Sequence, residues 1–297
     1  MFIIKHKKIF ISISAFLVLL SVIALFVFPL RIGIDFKGGA LTEVAYKTER
    51  PPQALLDAQF KNLDLGNLLI QPTGDLGYIV KSADLNEAQH NLLLKALSLD
   101  GKNPLEEKNF NSIGPSVGRE LTRKALIAIV LVSLGIILFI AFAFRKVSRP
   151  VSSWKYGLMA VVSLLHDVII PIGLFTLLSH FYGAEADTLF VVAALTILGL
   201  SVSDTIVIFD RIRENLRNKM NDSFSDTVGK SLDQSYMRSI FTSLTVIIVL
   251  LSLFFFGPES TKYFALMLTA GMFFGTYSSI FLASPLLVLI EELQKKK

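Results

Sequence analysis

The chain has 297 residues, 53% of them hydrophobic, with 24 Phe and no Cys. Its mean hydropathy of +0.60 is that of an integral membrane protein, since a soluble domain of this size has no use for so many long apolar runs. The lack of Cys excludes disulfides, thiolate catalysis and Cys-based metal sites, and the net charge of +5 says less than where the basic residues fall.

Crossing a bilayer takes about 20 apolar residues. Six runs are long enough: Ile9–Phe28, Ala125–Phe144, Gly157–Phe181, Thr188–Phe209, Ser239–Phe256 and Phe264–Ile290. The first follows Lys5, His6, Lys7 and Lys8 as a signal peptide would, but no small-x-small cleavage site precedes Arg31, so it reads as a retained span. Basic residues sit before the first span, between the second and third (Arg145, Lys146, Arg149, Lys155), between the fourth and fifth (Arg211, Arg213, Arg217, Lys219, Lys230, Arg238), and at the end (Lys295, Lys296, Lys297). The short loops Gly183–Asp187 and Gly257–Tyr263 hold only Lys262. The positive-inside rule therefore predicts both termini in the cytoplasm. The expected division is 1–30 as N-terminus and first span, 31–124 as an extracytoplasmic domain, and 125–297 as a five-helix bundle with a cytoplasmic amphipathic loop at 211–238.

The segment outside the membrane carries its own periodicities. Gly39–Tyr46 reads as a strand, Pro52–Asn62 as a helix with Pro near its start, and Asn67–Gln71 and Tyr78–Ala83 as short strands parted by a turn at Pro72, Gly74 and Gly77. Asn86–Leu97 places Leu92, Leu93 and Ala96 at helical spacing, and Lys108–Ile113 reads as a last strand. This order predicts a small α+β, ferredoxin-like domain. Within the loop after the fourth span, Phe224, Val228 and Leu232 recur at i, i+4, i+8, the pattern of an amphipathic helix that either lies on the membrane surface or packs under the bundle.

The residues that carry chemistry are few. Asp204 stands in the fourth span, about 9 Å from its cytoplasmic end at 1.5 Å per residue. A carboxylate in hydrocarbon costs about 2.5–3.5 kcal/mol on insertion scales and marks ion pathways; a polar contact between helices is the alternative. Ser201 and Ile208 share its face, and Gly199, Ser201 and Ser203 leave room for close approach. Arg238 opens the fifth span from the same side, with Thr242 and Thr245 continuing its face; it reads equally as a partner for Asp204 or as an anchor snorkelling to the surface. His166 and Asp167 lie about 14 Å into the third span, a relay element or a helix–helix hydrogen bond. Pro171 follows at i+4 from Asp167, where it can kink the helix. Asp210 and Arg211, with Arg213 and Glu214, read as a solvated helix end, and Asp35-Phe-Lys-Gly38-Gly39 as an outer turn. The chain has no GxxxxGK[ST], HExxH or nucleophile elbow, so no enzyme, cofactor or metal is expected.

Five stretches carry a resemblance: Gly33-Ile-Asp-Phe-Lys-Gly-Gly39, Ile113-Gly114-Pro115-Ser-Val-Gly-Arg-Glu-Leu121, His166-Asp167, Ser203-Asp-Thr-Ile-Val-Ile-Phe-Asp-Arg-Ile-Arg-Glu-Asn215 and Gly275-Thr-Tyr-Ser-Ser-Ile-Phe281. With them the chain resembles the SecF branch of the SecD/SecF family, within the resistance-nodulation-division (RND) superfamily. The resemblance implies a six-span protein of the bacterial inner membrane that partners SecD in a pseudo-symmetric bundle and contacts the SecYEG channel, YajC, lipid and translocating preproteins, with no nucleic acid. It implies late-stage assistance to protein export driven by the proton gradient, or by sodium in some members. It also implies that the proton-linked Asp of the fourth span falls at Asp204 and its Arg and Thr partners at Arg238 and Thr242. The competing readings are a structural scaffold of the Sec complex without ion coupling and a half-size RND-type exporter. Proton against sodium stays open.

Overall fold

The structure, a computed structural model, describes residues 2–60, 63, 65, 68–143, 152–219 and 223–295. Asn62, Asn67 and Phe144 at predicted element ends, Arg145, Lys146 and Arg149 after the second apolar run, and Lys296 and Lys297 lie outside the described residues. The elements in chain order are α1 (Phe2–Lys5), α2 (Lys7–Val27), α3 (Ile34–Lys37), β1 (Gly39–Tyr46), α4 (Gln53–Phe60), β2 (Leu69–Thr73), β3 (Gly77–Ser82), α5 (Glu87–Leu97), β4 (Leu105–Ile113), α6 (Pro115–Ala143), α7 (Ser153–Tyr182), α8 (Thr188–Arg217), α9 (Phe224–Phe256), α10 (Lys262–Ser278) and α11 (Ser284–Lys295). A π-turn at Ser279–Ala283 joins α10 to α11. The chain forms two compact units, Ile32–Leu126 and Met1–Arg31 with Ile127–Lys297.

The smaller unit is built on a four-stranded sheet of order β2-β3-β1-β4, antiparallel at every pairing. Strand periodicity of two sends Ala40, Thr42, Val44 and Tyr46 of β1 to one buried face. Leu56 and Phe60 of α4 and Leu93, Ala96 and Leu97 of α5 close over that face to make the core; Leu92 is exposed. Tyr46 Oη donates to Leu97 O at 2.9 Å and Tyr78 Oη to Pro51 O at 2.8 Å, so both buried phenols are satisfied. Asn86 starts α5 through a capping box: its side chain accepts from Gln89 N (2.9 Å), and its own N–H donates to Gln89 Oε1 (3.0 Å). Pro72, expected in a turn, lies inside β2. β2 is an edge strand, where a missing backbone donor is tolerated, and the turn falls on residues 74–76 with Gly74 at φ +53°.

Among the described residues, six helical stretches are long and apolar enough to cross a membrane. They extend beyond the apolar runs, because hydropathy marks the part in hydrocarbon while backbone hydrogen bonding carries the helix on. α6 begins at Pro115 instead of Ala125, a first-turn position that suits Pro, and α8 continues past Phe209 to Arg217. α9 starts at Phe224 rather than Ser239, so the segment 211–238, expected as a loop, is largely the ends of two long helices. Phe224, Val228 and Leu232 are buried with Ile208, Phe209 and Ile212 of α8 and Leu287 and Val288 of α11; their stripe packs under the bundle rather than lying on a membrane surface. Asn215, itself buried, donates to Ser231 Oγ (2.8 Å) and Gln234 Oε1 (2.9 Å), which ties the end of α8 to the start of α9. A second bundle core gathers Phe175, Ala193, Ala194, Ile197, Leu250, Met267 and Leu268.

Candidate functional site

α8 and α10 approach closely because α10 offers glycine where α8 offers bulk. A methyl group built on Gly271 would stand 2.2 Å from Ile197 Cγ1, and one on Gly275 would stand 3.3 Å from Ser201 Cβ. Small residues four apart let helix backbones meet, and they bring the hydroxyls after Gly275 against the carboxylates of α7 and α8. Two polar clusters result.

The deeper one centres on Asp167 of α7, which is fully buried (0% exposed). Its Oδ1 meets His166 Nδ1 at 2.7 Å. Its Oδ2 accepts from Ser278 Oγ at 2.6 Å and from Ser201 Oγ. Ser163 Oγ donates to Ser278 Oγ at 2.8 Å. His166 is also buried, its ring stacked on Tyr277 with centroids 6.1 Å apart, and its Nε2 has no hydrogen-bond partner among the described residues. Beside this group Thr205 Oγ1 and Ser279 Oγ lie 2.8 Å apart. Ser284 Oγ reaches back five residues to Ser279 O (3.2 Å), across the π-turn. Such turns are found often at functional sites.

The second cluster surrounds Asp204, which is half-buried. Thr276 Oγ1 donates to its Oδ2 at 3.3 Å and also bonds Ser243 Oγ. Ser239 and Ser243 of α9 face the same carboxyl, although Ser239 Oγ is buried without a full hydrogen bond among the described residues.

Several sequence expectations are redrawn by this packing. His166 and Asp167, read as a relay element or a helix–helix hydrogen bond, touch each other directly. Ser201, read as sharing a face with Asp204, serves Asp167. Arg238 acts on Asp204 through its charge but does not reach ion-pair distance, and it is exposed, as are Thr242 and Thr245. The buried polar side of α9 is instead Ser239 and Ser243, each one residue along and so about 100° around the helix. Arg238 borders a cavity of about 280 Å³ with Ile206, Val207, Asp210, Arg211 and Arg213. Asp210 pairs with Arg213 (3.5 Å) and Arg211 with Glu214 (2.8 Å), both exposed i,i+3 pairs apart from the two clusters; such pairs contribute about 0–1 kcal/mol. Ser163, Ser239, Ser243, Thr276 and Ser278 were not legible as site residues, since a serine or threonine in an apolar helix reads as filler until its neighbour is known. The one signal was the run Gly275–Ser279, in which every residue but Tyr277 is small.

In the smaller unit, Gly38 (φ +83°) and Gly39 (φ +140°) end the α3 turn that Asp35 begins. A Cβ on Gly38 would stand 2.8 Å from Pro115 Cα, and one on Gly118 2.9 Å from Gly38 N. Ile113, Pro115 and Gly118 thus form the seat of this turn, with Gly114 between the first two. Among the described residues no group of three or more His, Asp or Glu is placed to hold a metal ion.

Residues 94–293 match the family model described as "Protein export membrane protein SecD/SecF, C-terminal", and residues 23–49 match the "SecD/SecF GG Motif". A protein translocase subunit SecF from Thermobaculum terrenum is 41% identical over 296 residues, covering 96% of this chain and 92% of the relative. Another from Anaerolinea thermophila is 33% identical, covering 97% of this chain and 94% of the relative. The crystal structure of SecDF, a translocon-associated membrane protein from Thermus thermophilus, superposes with a TM-score of 0.80 at 29% identity. That match covers 99% of this chain, which spans 38% of the length of the solved one.

Proposed function

The chain belongs to the SecD/SecF family of protein export membrane proteins, a multi-pass protein of the bacterial inner membrane, and from that premise we propose that it is an ion-coupled SecF-type subunit in which Asp204 takes up and releases the driving ion. One ion moved down the membrane potential supplies about 2.3 kcal/mol per 100 mV, enough when repeated to bias helix positions during the late stages of translocation. The termini are cytoplasmic in this role, and the β2-β3-β1-β4 domain is a ferredoxin-like module outside the membrane.

The observation that carries the role is the setting of Asp204. It is a half-buried carboxylate within the bundle, held by Thr276 and flanked by polar side chains, Ser203, Arg238, Thr242 and Thr245, that face outward from α8 and α9. Exposed polar groups on helices of this apolarity are stable against other protein or water, not lipid. SecD, named with the family, is the partner that covers this face, and its own polar side chains complete the site with Arg238. SecYEG, YajC, preprotein and lipid contacts follow from membership in the export machinery.

The test is Asp204→Asn in cells where this chain is the sole copy, with SecD co-purification and preprotein export measured side by side. The expected result is normal recovery of the complex with export reduced to its level without an ion gradient. Full export by the variant refutes the coupling role. Parallel loss of complex and export supports a scaffold instead.

A further inference from the structure

Asp167 is the most enclosed carboxyl group among the described residues of the bundle. A buried carboxylate costs several kcal/mol unless an opposite charge neutralises it. No lysine or arginine pairs with it among the described residues, and the one group able to carry the opposite charge is His166. The elements packed against α7 bring few others. α2 has no titratable side chain after Lys7 and Lys8 at its start, α8 brings Asp204 one turn beyond Ser201, and α10 brings Tyr277 against the His166 ring.

Neither charge state of the pair is fully satisfied. With His166 as imidazolium, its Nε2–H is buried without an acceptor, at a cost of about 1–3 kcal/mol. With neutral imidazole, an ionised Asp167 has hydroxyl donors but no countercharge. The two opposed costs leave the pair poised around a single proton. We propose that His166 and Asp167 together form a second, buried proton site of the bundle, one that takes protons and excludes sodium; this rests on the ion-coupled role given above and names the ion.

In the basic step the N–H bond at His166 Nδ1 breaks and an O–H bond forms at Asp167 Oδ1. Imidazolium and carboxylate become imidazole and carboxylic acid, and the pair stays at net zero charge. The imidazole left by that step carries its proton on Nε2; loss of that proton, with return of the Oδ1 proton to Nδ1, gives carboxylate beside imidazole at net −1, and a proton accepted at Nε2 from that state restores the neutral pair. Sodium has no place in this geometry. It binds by gathering oxygen lone pairs, whereas Oδ1 is occupied by His166 and Oδ2 by two hydroxyls. A Cβ built on Gly275 would stand 3.3 Å from Ser201 Cβ, so α8 and α10 are in close contact beside the pair.

Infrared pH-difference spectra of the full chain in lipid vesicles test this. Acidification is expected to produce a carboxylic acid C=O band that is lost in Asp167→Asn, kept in Asp204→Asn, and unchanged when sodium replaces potassium at fixed pH. The proposal is overturned if no carboxylic acid component is lost in Asp167→Asn, or if the component lost there moves with sodium. His166→Gln leaves the carboxyl in place and serves if Asp167→Asn does not assemble; its band midpoint is expected to move by about one pH unit or more, a tenfold change in proton affinity, and an unmoved midpoint overturns the proposal. Normal export by Asp204→Asn together with an intact Asp167 band defeats the coupling role while supporting the proton site, so the two failures are distinguishable.

Discussion

Replacing Gly38 by Ala tests the turn that seats the start of α6. Gly38 has φ +83° and ψ 155°, a region essentially restricted to glycine, where another residue costs about 1–3 kcal/mol. The added methyl group would also stand 2.8 Å from Pro115 Cα, 3.0 Å from Pro115 N and 3.2 Å from Ile113 O. All three are backbone atoms, so no side chain can rotate away, and overpacking of this kind costs about 1–3 kcal/mol. Stiffening of the unfolded chain returns about 0.4–1 kcal/mol. The net loss is roughly 2–5 kcal/mol, or roughly 30- to 4,000-fold in the local opening equilibrium at 1.4 kcal/mol per tenfold. Amide hydrogen exchange of the full chain, read on β1 and β4, is the assay. Gly74→Ala is the control: Gly74 has φ +53° but nothing within 4 Å of a built Cβ, so it loses only about 1–2 kcal/mol. Equal exchange in the two variants refutes the steric part of the reasoning, and wild-type exchange in Gly38→Ala refutes all of it.

Gly271→Ala is expected to destabilise the bundle by about 1–3 kcal/mol in detergent unfolding, because its methyl meets Ile197 at 2.2 Å; the added change Ile197→Ala relieves the clash, so the double variant loses less than the sum of the two, and additivity overturns the contact. Burial, and secondarily the nearby Tyr78, raises the hydroxyl of Tyr46 well above its ordinary value of 10.0. Its contribution to stability is therefore complete below pH 10 and is lost as the unfolded state ionises above it, by about 1.4 kcal/mol per pH unit. Tyr46→Phe is expected to remove that alkaline loss and to cost about 1–3 kcal/mol at neutral pH through the unpaired Leu97 carbonyl, both read by thermal unfolding across pH. Asn215→Ala is expected to speed proteolysis between α8 and α9, since two buried hydrogen bonds go with it; unchanged cleavage counts against the clamp.

Much of the element order was legible because periodicity is a local property. Gly39–Tyr46 needs no knowledge of β3 or β4 to mark a strand, and Leu92, Leu93 and Ala96 mark a helix from spacing alone. Ends were less legible. Pro72 reads as a turn until β2 is known to be an edge, and Phe224–Leu232 reads as a surface helix until α8 and α11 are seen to cover it.

The sequence by itself determined the six apolar helices, the strands and helices of the smaller unit, and the costly residues Asp204, His166 and Asp167, since hydropathy and charge are properties of single residues and their spacing. Only the tertiary structure decided which groups meet. Helix rotation is set by the Gly271 and Gly275 contacts with α8, and a 100° difference in facing separates Thr242 from Ser243 as it separates an outward stripe from a buried one. That rotation sets hydroxyl groups closest to Asp204, with Arg238 acting on it through charge from outside ion-pair distance, and makes Asp167, which composition could not rank, the carboxyl with partners from three helices.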